Sequence, residues 1–262
     1  MEKDAFNEAA ERLRSRLLAY LYRLLADRGE AEDLCQEALL EAYTALSEPT
    51  PETAFKERLF QIASRLADRE TEGARPWGES SLDVLQDYLL EHEATQNELQ
   101  ETLETREEEY SLEDHVDFCF SVALQSLFPR ERNAFLLMQV EKLPSVQAAV
   151  VMGGSAAEVE EKSAAAGENL QEFFSQRCSL AKAGAACTQC RDFGAWLNGE
   201  EEVEEDLHSL PLKPTGDAEA NFERRLQLVS RIDPLQGGSS RFHTQLMQVL
   251  RRALGEKGLL KP

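Results

Sequence analysis

The chain has 262 residues and carries 49 Asp and Glu against 28 Lys and Arg, a formal net charge of −21. That length holds about two domains with real cores, and a composition 42% hydrophobic but only 7% aromatic makes those cores aliphatic. Such acidity works against long-range attraction to nucleic acid and favours basic protein partners. No apolar run approaches the roughly 20 residues of a membrane span, and residues 1–16 are charged throughout, unlike a secretory leader, so a cytoplasmic protein is expected.

The N-terminal third is helical by periodicity. Leu17, Leu18, Leu21, Leu24 and Leu25 mark one amphipathic helix. Asp27-Arg28-Gly29 is expected to break it. Leu34, Ala38, Leu39, Ala42, Tyr43 and Leu46 mark a second. Phe55 to Asp68 continues the pattern with Leu59, Ile62, Ala63 and Leu66 apolar, and Arg58, Arg65 and Arg69 supply cations beside that segment.

Residues 71–115 open with Gly73-Ala74-Arg75-Pro76-Trp77-Gly78 and then become strongly acidic. A solvated tether is the default expectation for such a run. Leu82, Leu85, Leu89, Leu99 and Leu103 allow parts of it to be helical.

The stretch from Phe128 to Phe174 has the form of a helix-turn-helix. Pro129 suits a first helical position, where its missing N–H costs nothing. Phe135, Leu136, Val140 and Leu143 recur at helical spacing. Leu143-Pro144-Ser145 breaks that helix, because the residue before a proline avoids the α region. Ala148 to Met152 is a short apolar helix, and Gly153-Gly154 ends it. Ser155 is placed to cap the next helix, with Glu158 three residues on completing a capping box. Helix, short glycine-containing turn, helix is the pattern of a DNA-reading module. Its charge is wrong for that task. A recognition helix holds phosphates and guanine edges with Arg or Lys, whereas this one offers Glu158, Glu160, Glu161, Glu168 and Glu172 against Lys162 alone. Each phosphate left unneutralised forfeits its counterion release.

Five cysteines are present. Cys35 and Cys119 fall on apolar helix faces and are expected to be buried small hydrophobes. Cys178, Cys187 and Cys190 lie close together, and Cys187-x2-Cys190 has the spacing of two zinc ligands. With His208 as a fourth donor they form a candidate zinc site; reduced, packed cysteines are the alternative. There is no P-loop, GxGxxG, GxSxG or HExxH pattern, and His92, His115, His208 and His243 are scattered. The chain is not expected to be an enzyme.

Ala31-Glu32-Asp33-Leu34-Cys35-Gln36-Glu37, followed by Leu40, Ala42 and Leu46, resembles region 2 of the extracytoplasmic-function (ECF) sigma factors of the sigma-70 family. In that family it typically reads AEDLVQETFLRAWRAL and docks on the clamp helices of bacterial RNA polymerase. FKERLFQIASRLAD (Phe55 to Asp68) resembles the following segment, WLYRIARNLAID. Phe128 to Phe174 resembles region 4, with Pro129, Arg130, Glu131, Arg132, Phe135, Leu136, Leu137, Val140, Glu141, Leu143, Ala148 and Val159 fitting. It departs where the family touches DNA: Glu160 and Glu161 stand at the Lys-Ser positions, Ala165 and Gly167 at the Arg positions. The cysteine segment resembles one that follows region 4 in some members, and Ser239 to Leu254 would be a terminal helix.

The resemblance implies an all-α protein in four segments. These are a region 2-like domain (1–70), an acidic linker (71–115), a region 4-like helix-turn-helix domain (116–176) and a C-terminal extension (177–262). It implies a transcription-initiation factor that docks on RNA polymerase core through Asp33, Leu34, Gln36, Glu37, Leu40 and Tyr43, with promoter DNA bound weakly. The faces for DNA or a partner would be Arg58, Arg65 and Arg69 on one side and Ser155, Glu158, Glu160, Glu161 and Lys162 on the other. The alternative is a sigma mimic that does not read DNA and binds an anti-sigma factor or polymerase.

Overall fold

In a computed structural model, the placed residues are 3–45, 52–78, 81–105, 112–177, 218–236 and 240–260. Among them the fold is all-helical, with no strand. The helices are α1 (Lys3–Leu25), α2 (Arg28–Ala45), α3 (Glu52–Glu70), α4 (Ser81–Glu91), α5 (Glu93–Glu104), α6 (Leu112–Leu124) and α7 (Pro129–Phe135). A π-helical turn, Leu136–Val140, continues α7. Then come α8 (Ser145–Met152), α9 (Ala156–Arg177), α10 (Ala218–Val229) and α11 (Ser240–Glu256). Cys178, Cys187, Cys190 and His208 lie outside the described residues.

The first break falls earlier than expected. Ala26, at φ 52°, ends α1 with its N–H on the Tyr22 carbonyl at 2.7 Å. Asp27 then caps α2, its Oδ1 accepting the Glu30 N–H at 3.0 Å. A side-chain acceptor at this position satisfies one of the orphan donors of the first turn, so Arg28 and Gly29 sit inside α2 rather than in a breaker.

By three-dimensional grouping the described helices form two compact units, one drawn from residues 1–77, 124–166 and 260–262, the other from 78–123 and 167–259. The first unit therefore combines the region 2-like helices with α7, the π turn, α8 and the start of α9. Its core is aliphatic with a few rings: Leu17, Leu21, Leu59 and Leu66 are fully buried, and the Tyr20 and Phe60 rings meet at 5.1 Å. α1, α2 and α3 pack on one another, and α8 lies along α3. Chain order places these parts far apart; contact places them together.

The second unit corrects the tether expectation for the acidic stretch. α4 and α5 are folded and buried on one face through Leu82, Val84, Leu85, Tyr88 and Leu99, packing with α11. Their acidic residues occupy the other face, as in any amphipathic helix. Phe120 and Phe174 stack at 6.3 Å, and the Arg225 guanidinium sits 4.0 Å above the Phe174 ring. That cation–π contact offsets part of the cost of burying Arg225. Cys35 and Cys119 are both buried, and burial pushes the Cys35 thiol up to about 11.

Lys142 is exposed and holds φ 56° in the turn after the π-helical segment. A side chain in the left-handed region costs about 1–2 kcal/mol, part of which glycine returns in unfolded-chain entropy. Lys142→Gly is expected to stabilise the fold by about 0.5–1 kcal/mol, read as a higher urea midpoint at unchanged slope. A lower midpoint would mean that the lysine side chain is itself held.

Candidate docking and nucleic-acid interface

α2 presents its outer face at i, i+3 and i+4 spacing. Asp33, Gln36 and Glu37 are exposed, and Leu40 and Tyr43 are 65% and 45% exposed despite their apolar bodies. Tyr43 is steadied by an edge contact with Phe6 at 5.0 Å. Leu34 departs from the expected docking set: it is buried, on the inward stripe with Ala31, Ala38 and Ala42. The spacing explains this, since Leu34 is in phase with Ala38 whereas Leu40 is not. Two exposed large apolar side chains flanked by carboxylates form a surface suited to a partner protein.

α3 carries Arg58, Arg65 and Arg69, all exposed and each with a partner on the protein. Arg65 is ion-paired with Glu41 of α2. Arg69 Nη2 lies 3.3 Å from Glu37 Oε1. Arg58 donates to Gln61 Oε1 at 2.7 Å, and Gln61 Nε2 donates in turn to the Val150 carbonyl of α8 at 3.1 Å. Two of the three α3 arginines are thus paired with carboxylates of α2, and α8 packs along α3 beside them. Exposed pairs of this kind are individually weak, about 0.2–1 kcal/mol.

The helix-turn-helix has the expected local form. Pro129 opens α7, α8 begins at Ser145, three residues before the expected start, and Gly153 ends it at φ 67°. Ser155 Oγ accepts the Glu158 N–H at 3.2 Å, the expected cap of α9. Glu158, Glu160 and Glu161 are exposed, and Lys162 faces Glu158 at 3.9 Å. The one cation at the start of the recognition helix is therefore held by its own helix. Arg132, another position that fits region 4, is buried, and burial pulls its guanidinium down to about 9; it offers nothing to a phosphate.

Between the end of α3, the start of α7 and the end of α8 lies a cleft of about 720 Å³, lined by Arg65, Asp68, Arg69, Phe128, Arg130 and Met152 among others. Arg130 Nη2 donates to the Met152 carbonyl at 3.4 Å. Burial raises the Asp68 carboxyl above its ordinary range, against the pull of Arg130.

Sequence reasoning missed the contacts that seat the helix-turn-helix on the region 2-like helices. Tyr20 Oη donates to Asn133 Oδ1 at 2.6 Å, and Asn133 Nδ2 donates to Ser64 Oγ at 2.7 Å. All three residues are buried, and burial raises the Tyr20 phenol. Arg16 Nε pairs with the Glu141 carboxylate, and Arg16 Nη2 donates to the Glu141 carbonyl at 2.8 Å. The π-helical turn positions Glu141: its N–H bonds the Leu136 carbonyl at 2.8 Å. An extra residue in a helical turn rotates the downstream residues by roughly 100°.

Among the described residues no helix is long and apolar enough to cross a membrane, and no group of three or more His, Cys, Asp or Glu is placed to hold a metal ion.

Residues 9–72 match the family model for sigma-70 region 2, and residues 124–172 match that for the sigma-like domain of the response regulator PhyR. The chain is also 29% identical over 160 residues to the ECF RNA polymerase sigma factor SigG of Mycobacterium tuberculosis, in two strains, covering 57% of this chain and 43% of that protein. It therefore spans less than half the length of the curated relatives it matches. The second domain match falls where the recognition helix is acidic. The chain thus has one segment similar to sigma-70 region 2, followed by one similar to the sigma-like domain of PhyR, and is distantly similar to an ECF sigma factor.

Proposed function

We propose that this protein is a sigma mimic. It engages a protein that binds sigma factors, RNA polymerase core or an anti-sigma factor, through the exposed face of α2, and it does not itself read promoter DNA. The observation that carries this reading is the charge at the start of α9, where Glu158, Glu160 and Glu161 are exposed and Lys162 faces Glu158 at 3.9 Å; the pairing of Arg65 and Arg69 with Glu41 and Glu37 reduces the cationic character of α3 as well. An acidic α9 adds like-charge repulsion, which discriminates against DNA while leaving a surface for basic protein partners. Asp33, Gln36, Glu37, Leu40 and Tyr43 are the contact residues in this reading; Glu158, Glu160 and Glu161 form a second partner-facing set.

The similarity to SigG over 160 residues favours a second reading, a working initiation factor with weak promoter contacts of its own. Replacing Glu160 and Glu161 by Lys separates the two. A mimic is expected to lose partner affinity through this face and to gain only salt-sensitive, sequence-independent DNA binding, at about 0.9 in the log–log salt slope per phosphate neutralised. An initiation factor with a weakened helix would instead gain sequence-selective promoter binding and keep its partner. Fluorescence anisotropy with promoter and scrambled duplexes across a salt series reads both.

A further inference from the structure

Glu141 is a buried carboxylate at the break of the helix-turn-helix, its side chain 5% exposed, whereas the Arg16 side chain that pairs with it from α1 is 44% exposed. The charged groups that face Glu141 are Arg16 and Arg23 from α1 and Lys56 from α3; Lys142, next in its own turn, points to solvent. Arg16 donates to both the carboxylate and the backbone carbonyl of Glu141. We propose that Arg16–Glu141 is a latch that keeps the helix-turn-helix seated on α3, an autoinhibitory contact. This inference rests on the proposed function, in which the chain does not read promoter DNA, and adds which contact holds α8 against α3.

The two partners are not equivalent, because a buried ion pair is not a simple sum of two favourable halves. Removing Arg16 leaves a buried carboxylate without the partner that donates to it, with Arg23 and Lys56 acting on it only through charge, and that is unfavourable to the closed form. Neutralising Glu141 removes the charge that needed compensating and leaves a group that still accepts from Arg16. Burial already pushes the Glu141 carboxyl above its usual range, with Arg16 pulling it back. The sign is then fixed: a carboxyl whose closed-state pKa is raised favours closure while protonated, and that contribution is lost as pH rises through the raised value. Arg16, which donates to the carboxylate itself, is what holds the closed form once Glu141 is ionised.

The test is the separation between spin labels at Thr44→Cys on α2 and Val146→Cys on α8, both exposed, in the full chain with Cys178, Cys187 and Cys190 replaced by Ser. Parent protein is expected to give one narrow distance distribution. Arg16→Gln should populate a longer one at neutral pH, raising the open-to-closed ratio by a factor of about a hundred or more, and should return toward the short distance as pH is lowered. Glu141→Gln should remain closed. The double variant Arg16→Gln/Glu141→Gln should close again, a rescue that general damage to the fold would not produce. Circular dichroism checks that each variant keeps its helices. A short distance in Arg16→Gln at neutral pH, or an open double variant, overturns the latch. Since the readout is a distance, it is independent of whether DNA or polymerase is bound.

Discussion

Replacing Asn133 by Ala is expected to destabilise the first unit by about 2–5 kcal/mol. Asn133 is 1% exposed and bonds Tyr20 Oη and Ser64 Oγ at once. Its loss leaves two buried hydroxyls without this partner, each costing roughly 1–3 kcal/mol, and opens a small cavity besides. The asymmetry provides a control. Tyr20→Phe with Asn133→Leu removes the polar demand on one side and fills the space, so the double variant should recover most of the loss. Urea unfolding followed by circular dichroism measures both. A single variant within about 0.5 kcal/mol of parent, on the scale of an inert surface change, would show that the chain of hydroxyl and amide bonds does not hold the two helical segments together.

The second large effect concerns the α2 surface. Leu40→Asp with Tyr43→Asp is expected to lower affinity for RNA polymerase core at least tenfold while leaving the unfolding midpoint nearly unchanged. Both side chains are substantially exposed, so the fold loses little when they become polar. An interface centred on a few apolar anchors loses about 1–3 kcal/mol or more when they are removed. A pair of control changes on the same helix, Glu30→Gln and Thr44→Ala, should leave binding within about twofold. Biolayer interferometry with immobilised core enzyme distinguishes the two pairs. Equal losses from both, or from neither, would move the partner surface away from α2.

Much of the fold was legible in the sequence because it is local. The leucines of α1 and the Pro129, Gly153 and Ser155 punctuation of the helix-turn-helix act within a turn or two of themselves, and each lies where the spacing puts it. On α2 the helical period puts the exposed Asp33, Gln36, Glu37, Leu40 and Tyr43 on one face and Leu34 in phase with the buried Ala38. What could not be read is what joins distant parts of the chain. Tyr20 and Asn133 are 113 residues apart, Arg16 and Glu141 125. No periodicity encodes such pairs, and Glu141 reaches Arg16 only after a π-helical turn that the amino-acid pattern does not announce. The same limit applies to α3. Arg65 and Arg69 read in sequence as cations available to DNA, but Glu41 and Glu37 face them in the fold. The acidic stretch reads as a tether when charge is weighed above the apolar spacing of Leu82, Leu85 and Leu99; in the fold α11 packs on the helices that carry them.

We propose that this chain keeps the protein-docking side of a sigma factor and not its DNA-reading side. The most direct test is a pull-down of purified core RNA polymerase and of sigma-binding regulators on the immobilised protein, followed by challenge of the retained complexes with a panel of promoter duplexes. Retention of at least one such protein is expected, lost with the Leu40 and Tyr43 changes, with no promoter-dependent retention of DNA. Sequence-selective capture of a promoter by the retained polymerase complex would overturn that reading and make the protein a working initiation factor.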